Sequence, residues 1–111
     1  MNIPYGRNLK MNKTTIRHMV IFNLKHPKGS DLAAKFLRDG REILSSIAVV
    51  TEFNAFEQVS PKNDFDYGFA MDFANQLDYD AYNAHPLHTS FVEERWMKKV
   101  VRYLEIDFRS F

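Results

Sequence analysis

Two segments of this sequence alternate strictly between inward and outward side chains, and this pattern restricts the fold more than any other feature. Residues 16–25 and 65–73 each repeat with a period of two, which is the period of a β-strand. Apart from one histidine, the residues on one side are aliphatic or aromatic: Ile16, His18, Val20, Phe22 and Leu24, then Phe65, Tyr67, Phe69, Met71 and Phe73. Both segments are therefore predicted to be strands that bury one face in a core.

The remaining segments supply strands and helices in a regular order. Ser30 or Asp31 can cap a helix whose apolar stripe runs from Leu32 to Ile47, and Pro86 suits the first turn of a late helix. The other predicted elements are a strand over residues 49–59, a short helix over 75–85, the late helix to about residue 99, and a strand over 100–108. This order predicts an α+β, ferredoxin-like βαββαβ fold. In such a fold helices cover one face of a four-stranded antiparallel sheet.

Gly40 lies on the inward stripe of the first predicted helix. A glycine inside a helix costs about 1 kcal/mol relative to alanine, so its presence there needs a physical reason. We predict that the helix passes close to a bulky neighbour at this residue.

The composition indicates one domain without cysteine chemistry or a strong charge. The chain has 111 residues, no cysteine, and 15 basic against 14 acidic side chains, which leaves a formal charge of +1. Residues 1–13 are predicted to be a flexible tail and residues 14–111 the folded domain. Disulfides and cysteine-based zinc sites are excluded, and neither nucleic acid nor a membrane surface is expected as a partner. The sequence contains no apolar run of membrane-spanning length and no segment resembling a signal peptide, so a cytoplasmic protein is expected.

The side of the predicted sheet that the helices leave uncovered is not fully polar. Its apolar residues are predicted to be Met19, Ile21, Val50, Phe56, Ala70, Val101 and Tyr103. An exposed apolar surface of this kind usually marks a contact site, and twofold pairing of two such sheets would bury it. We therefore predict a homodimer through the sheet face, in which the two sheets form an α/β barrel. The alternative is a monomer with a partly apolar sheet.

Three histidines and one tyrosine form the candidate site. His18 lies on the inward side of the first strand, whereas His85 and His88 flank the joint between the two late helices. The helix dipole and partial burial both disfavour a positive charge on His88, which is therefore expected to be a neutral imidazole that can accept a proton. Tyr82 lies one turn before the joint, where its hydroxyl could act as an acid or a hydrogen-bond donor beside His88.

Each histidine also has a possible structural role. His85 could cap the helix that follows it, His88 could be satisfied by a backbone carbonyl, and His18 could be a buried histidine with one partner. Because no histidine pair at i and i+4 lies beside an acid, a metal site is not expected. The sequence also has no phosphate-binding glycine loop and no nucleophile motif, and no cofactor is expected.

The segment around the late histidines resembles a known family. The residues AYNAHPLH at 81–88, followed by FVEE at 91–94, are similar to the Tyr, His-Pro-x-His, Phe-Val segment of the stress-responsive A/B barrel (Dabb) family. Residues 17–25, 66–73 and 104–108 resemble strands of the same family, so the resemblance covers about residues 15–108. It implies a ferredoxin-like fold and a homodimeric barrel of the dimeric α+β barrel superfamily.

What the resemblance implies about activity comes from one branch of the family. A plant polyketide cyclase of this family performs an intramolecular aldol condensation without a cofactor. The matching positions in this sequence are Tyr82 and His88, which are implied to act on the substrate, and His18, which is implied to assist them.

Three functions remain open. The first is binding of a small, partly apolar molecule between sheet and helices, with contacts from His88, Tyr82 and His18. The further binding residues would be Phe22, Phe69, Phe91, Trp96 and His85. The second is a cofactor-free enzyme for aldol or isomerisation chemistry, with His88 as base and Tyr82 as acid, and the third is a purely structural barrel. A cavity of about 300 Å³ or more lined by His88 and Tyr82 would favour the first two functions over the third.

Overall fold

The computed structural model describes residues 12–111, and its strands and helices follow the predicted order. The strands are β1 (Ile16–Leu24), β2 (Thr51–Glu57), β3 (Tyr67–Phe73) and β4 (Val100–Arg109). The helices are α1 (Asp31–Ser45), α2 (Gln76–Ala84), α3 (Pro86–Phe91) and α4 (Met97–Lys99), and a π-helical segment, Val92–Trp96, connects the last two. The predicted tail, residues 1–13, lies outside the described residues except for its last two.

The four strands form one antiparallel sheet in the order β2-β3-β1-β4. Alternate residues of β1 are buried, and the inward residues of β1 and β3 form one core with residues of the helices. This arrangement confirms the predicted α+β class and the four-stranded antiparallel sheet. The two central strands, β1 and β3, are the segments whose alternation is clearest in the sequence.

Side-chain caps explain why three helices begin close to the predicted residues. Ser30 Oγ accepts a hydrogen bond of 3.2 Å from a backbone N–H in the first turn of α1. Asn75 Oδ1 does the same for α2 at 2.8 Å, and His85 Nδ1 for α3 at 3.1 Å. Each cap satisfies a helix N–H that has no partner within the helix. His85 therefore has the capping role that the sequence left open, and Pro86 occupies the first turn behind it.

The second strand is shorter than predicted at both ends. The register of β2 against β3 shifts between Thr51 and Asn54, and Glu52 has a φ of 52°, which is uncommon for a residue with a side chain. Val50 precedes the first residue of β2 and is buried in the core. The prediction that Val50 lies on the uncovered sheet face is therefore wrong.

Aromatic rings fill the centre of the core. Phe22, Phe69 and Phe73 are each at most 1% exposed. The centroid of the Phe22 ring lies 5.0 Å from that of Phe69 and 4.9 Å from that of Trp96. Because tilted and edge contacts at these distances are favourable for aromatic pairs, the cluster fixes the helical layer against the sheet.

Gly40 confirms the predicted close approach of α1 to a bulky neighbour. A Cβ built at this residue would lie 2.6 Å from Cζ of Phe69 and 3.3 Å from Cζ of Phe91, and both rings are buried. We expect Gly40→Ala to lower the free energy of unfolding by about 1–2 kcal/mol. The steric cost of overpacking, about 1–3 kcal/mol, exceeds the gain in helix propensity of about 1 kcal/mol.

Urea unfolding with Arg41→Ala as the control measures this effect. Arg41 is the next residue of α1 and is exposed, so its replacement is expected to change stability by less than about 0.5 kcal/mol. A Gly40→Ala protein as stable as the wild type would show that the Phe69 ring can shift to make room.

Most side chains of the last strand, β4, lie on the side of the sheet opposite to the predicted one. Glu105 and Asp107 pair with inward residues of β1, so both acids lie on the helix-covered side of the sheet. The cause is a bulge at Val101, where β4 has one residue more than β1 and the alternation reverses. Tyr103, which was predicted on the uncovered face, lies on the covered side, and that prediction is wrong.

Because of this reversal, the uncovered face is more apolar than predicted. We call it the open face, and its apolar residues are Met19, Ile21, Phe56, Ala70, Leu104, Ile106 and Phe108. Phe56, Leu104 and Phe108 are 46%, 48% and 49% exposed. Beside them Arg17 donates two hydrogen bonds, of 2.8 and 3.0 Å, to the buried carboxylate of Asp72. Such a face is typical of a surface that contacts another protein.

Candidate functional site

A cavity of about 460 Å³ lies between the sheet and the helices. Residues of β1, β3 and β4 line it from the sheet, and residues of α2, α3 and the π-helical segment line it from the helical layer. Its volume exceeds the lower size of small-molecule sites, about 300 Å³. Both His88 and Tyr82 line it, so the cavity lies beside the two residues predicted to act as base and acid.

His88 lies in the first turn of α3 at the cavity wall. Its Nδ1 is 3.2 Å from the backbone carbonyl oxygen of Asn83, so Nδ1–H donates to that oxygen and Nε2 keeps the lone pair. Burial lowers the pKa of His88 below its ordinary value of 6.5 and outweighs the opposite effect of the Asn83 carbonyl. At neutral pH His88 is therefore an uncharged imidazole whose Nε2 can accept a proton.

Tyr82 lies beside His88 in the same wall. Their ring centroids are 4.4 Å apart, and only 3% of Tyr82 is exposed. Its hydroxyl makes no hydrogen bond with any residue in the described range 12–111, although buried hydroxyls normally have a partner. Burial raises the pKa of Tyr82, and the charge of Glu105 acts in the same direction. The phenol thus stays protonated and can donate to an atom in the cavity.

His18, on the inward side of β1, is held by two side chains that the sequence analysis missed. Its Nδ1 lies 2.6 Å from Oδ1 of Asp107 and 2.9 Å from the hydroxyl of Tyr79. That hydroxyl lies 3.1 and 3.0 Å from the two carboxylate oxygens of Asp107, to which it donates. A carboxylate at Nδ1 fixes the imidazole so that Nε2 is the free nitrogen. His18 therefore has two partners rather than the single one considered above, and it also lines the cavity.

Besides His18, Tyr82 and His88, five residues were predicted to contact a ligand. They fall into two groups. Phe69, Phe91 and Trp96 line the cavity. Phe22 is fully buried in the aromatic core, and His85 caps α3, so neither belongs to the lining. The structure thus brings six of the eight predicted site residues together around one cavity.

Three polar residues that the sequence analysis did not propose for the site also line the cavity: Asn83, Tyr103 and Glu105. The ring of Tyr103 makes an edge contact with Trp96 at a centroid distance of 5.7 Å. The polar lining therefore consists of imidazole, phenol, amide and carboxylate groups.

Within residues 12–111, no group of three His, Asp or Glu side chains is placed to hold a metal ion. No helix in that same range is long and apolar enough to cross a membrane.

Comparison with known proteins identifies relatives of the whole described domain. The model of the stress-responsive A/B barrel domain family, Dabb, matches residues 16–110. A Dabb-family protein with a ferredoxin-like fold from Mesorhizobium loti is 46% identical, with a TM-score of 0.86 over 88% of this chain and 98% of that one. No functionally curated protein sequence matches the chain.

Two structures of lower identity share the fold. A hydroxynitrile lyase from Passiflora edulis is 13% identical, with a TM-score of 0.78 over 90% of this chain and 96% of that one. A dimeric ferredoxin-like protein of unknown function from Thermobifida fusca is 14% identical, with a TM-score of 0.74 over 90% and 94% of the two chains. Together with the relative from Mesorhizobium loti, they confirm the ferredoxin-like fold.

Proposed function

The chain belongs to the stress-responsive A/B barrel (Dabb) family, and on that premise we propose that it is a homodimer that binds a small, partly apolar molecule in its cavity. The observation that carries the ligand proposal is the buried Tyr82 hydroxyl, which has no partner among residues 12–111 at the wall of a 460 Å³ cavity. A buried polar group without a partner is destabilising, and a ligand with an acceptor atom would supply one.

The lining of the cavity suits a molecule with an apolar body and one polar end. The rings of Phe69, Phe91 and Trp96 contribute aromatic surface to the lining. His18 and His88 lie beside Tyr82, with ring centroids 6.4 and 4.4 Å from that of Tyr82. Small-molecule sites combine a mainly apolar wall with a few convergent polar groups in this way. A barrel with a structural role alone would need neither the open volume nor an unpaired donor beside it.

The homodimer is supported by the open face. Two copies packed sheet against sheet would remove the half-exposed side chains of Phe56, Leu104 and Phe108 from water. The similar protein from Thermobifida fusca is described as dimeric. In this arrangement the cavities lie on the helix-covered sides of the two sheets, away from the interface, so each protomer keeps its own ligand site.

Trp96 makes ligand binding directly measurable. It is the single tryptophan of the chain and it lines the cavity, so its fluorescence reports occupancy. We expect benzylacetone, a small ketone with an apolar ring, to change the Trp96 fluorescence in a saturable manner when the protein is excited at the red edge of tryptophan absorption. Tyr82→Phe removes the donor hydroxyl alone, and we expect it to weaken binding about fivefold to tenfold, the effect of one hydrogen bond.

Tyr67→Phe is the matched control for this experiment. The Tyr67 hydroxyl accepts a hydrogen bond from the backbone N–H of Gly29 and is not part of the cavity lining, so its loss should leave the affinity unchanged. A fluorescence change that never saturates would contradict the ligand proposal. So would a Tyr82→Phe protein that binds the ketone as tightly as the wild type.

A second function, cofactor-free acid–base catalysis at a carbonyl group, is favoured by the contact between His88 and Tyr82. An uncharged His88 Nε2 can take a proton from the carbon next to a carbonyl, while the Tyr82 hydroxyl donates to the oxygen on which negative charge develops. Aldol and isomerisation reactions need these two groups and no electron carrier. The similar protein from Passiflora edulis is described as a hydroxynitrile lyase, so catalysis occurs on this fold.

A further inference from the structure

Glu105 is a charged group of the cavity that neither proposal above uses. It pairs with Val20 of β1, which places it on the helix-covered side of the sheet, and it lines the cavity with His88 and Tyr82. Glu105 is exposed to solvent as well as lining the cavity, and its carboxylate makes no hydrogen bond or ion pair within residues 12–111. It therefore presents a negative charge whose acceptor oxygens are available to a ligand.

The other polar groups of the cavity do not offset this charge. Within the part of the chain that the structure describes, the cavity lining contains no lysine and no arginine. His88 is uncharged at neutral pH, as argued above. The Nδ1 of His18 is bonded to the Asp107 carboxylate, so this pair carries no net positive charge in either protonation state of the imidazole. The charged group that the cavity presents is therefore a carboxylate, beside the unpaired hydroxyl donor of Tyr82.

We propose that Glu105 selects ligands by charge: in addition to the acceptor atom that the Tyr82 hydroxyl requires, the cavity favours a ligand with an ammonium over one with a neutral hydroxyl and disfavours one with a carboxylate. This inference rests on the proposed binding function and names the class of ligand. A carboxylate would lose its hydration and face Glu105 without a cation to pair with. An ammonium would instead pair with Glu105 and find the aromatic faces of Trp96 and Tyr103, which attract cations, in the same lining.

Three probes with one skeleton and different charges test the inference: phenethylammonium, phenethyl alcohol and phenylacetate. Trp96 fluorescence gives the affinity for each, and benzylacetone serves as the reference ligand. In the wild type we expect phenethylammonium to bind at least about tenfold more tightly than phenylacetate, the effect of one partly solvated charge pair. Glu105→Gln keeps the size of the side chain, and we expect it to reduce this ratio about tenfold.

Glu93→Gln is the control, because Glu93 is exposed on the π-helical segment outside the cavity and its replacement changes the net charge by the same amount. The ratio should stay at its wild-type value in this variant. If Glu105→Gln and Glu93→Gln give the same ratio while benzylacetone still binds, Glu105 has no role in selection and the binding function stands. If no probe and no ketone binds, the binding function fails and the selectivity proposal fails with it.

Discussion

Replacing Leu104 with glutamate is expected to convert the proposed homodimer into single chains. Leu104 lies opposite Ile21 on the open face and is 48% exposed in the protomer. Twofold symmetry would bring two new carboxylates into one interface, and each buried charge without a partner costs about 3 kcal/mol or more. The dissociation constant should therefore rise at least about a thousandfold. Light scattering at micromolar concentration should show a mass of twice 13.1 kDa for the wild type and 13.1 kDa for Leu104→Glu.

Leu77→Glu is the control for the chemistry of this replacement. Leu77 is 76% exposed on α2, away from the open face, so the same change there should leave the dimer intact. Thermal unfolding of both variants separates dissociation from misfolding. A wild-type mass of 13.1 kDa would refute the dimer itself. A Leu104→Glu protein that stays at twice that mass would place the interface on another surface.

The parts of the fold that could be predicted depend on local features of the chain. Periodicity within β1 and β3 and the cap residues Ser30 and Asn75 act over a few residues, so a single sequence contains all the information they need. Gly40 is a similar case, because a glycine on an apolar helix stripe already indicates close packing. The orientation of β4 is different, since it depends on the bulge at Val101, and that bulge exists only where β4 pairs with β1.

The same bulge limited the prediction of the site. The segment from Tyr82 to His88 is continuous in sequence, which is why its motif could be recognised. Asp107 and Glu105 reach the covered side of the sheet only because β4 reverses its alternation, so a reading of β4 as regular places both acids outside. The sequence of β4 does not reveal the reversal, because its apolar residues Leu104, Ile106 and Phe108 are the ones that a regular strand would turn toward the core.

If the second proposed function is correct, replacing His88 with alanine is expected to lower kcat by about a hundredfold or more, the usual contribution of a general base. The assay measures turnover of a panel of aldol adducts through release of the carbonyl product. The matched control is His26→Ala, because His26 does not line the cavity and its loss should leave kcat unchanged. Binding of benzylacetone by His88→Ala would show that the cavity is still intact and that the lost step is chemical.

The pH profile separates a base from a group that merely contacts the substrate. A base must be unprotonated, so activity should be present above the pKa of His88 and fall as the pH drops through it. Because burial holds this pKa below 6.5, the wild type should keep its activity at pH values where an exposed histidine is already half protonated. Tyr82 should add no loss on the alkaline side near neutrality, since burial raises its pKa above the ordinary value of 10.0. Activity that rises as the pH falls, or a His88→Ala variant with unchanged kcat, would remove His88 from the chemistry and leave the cavity as a binding site.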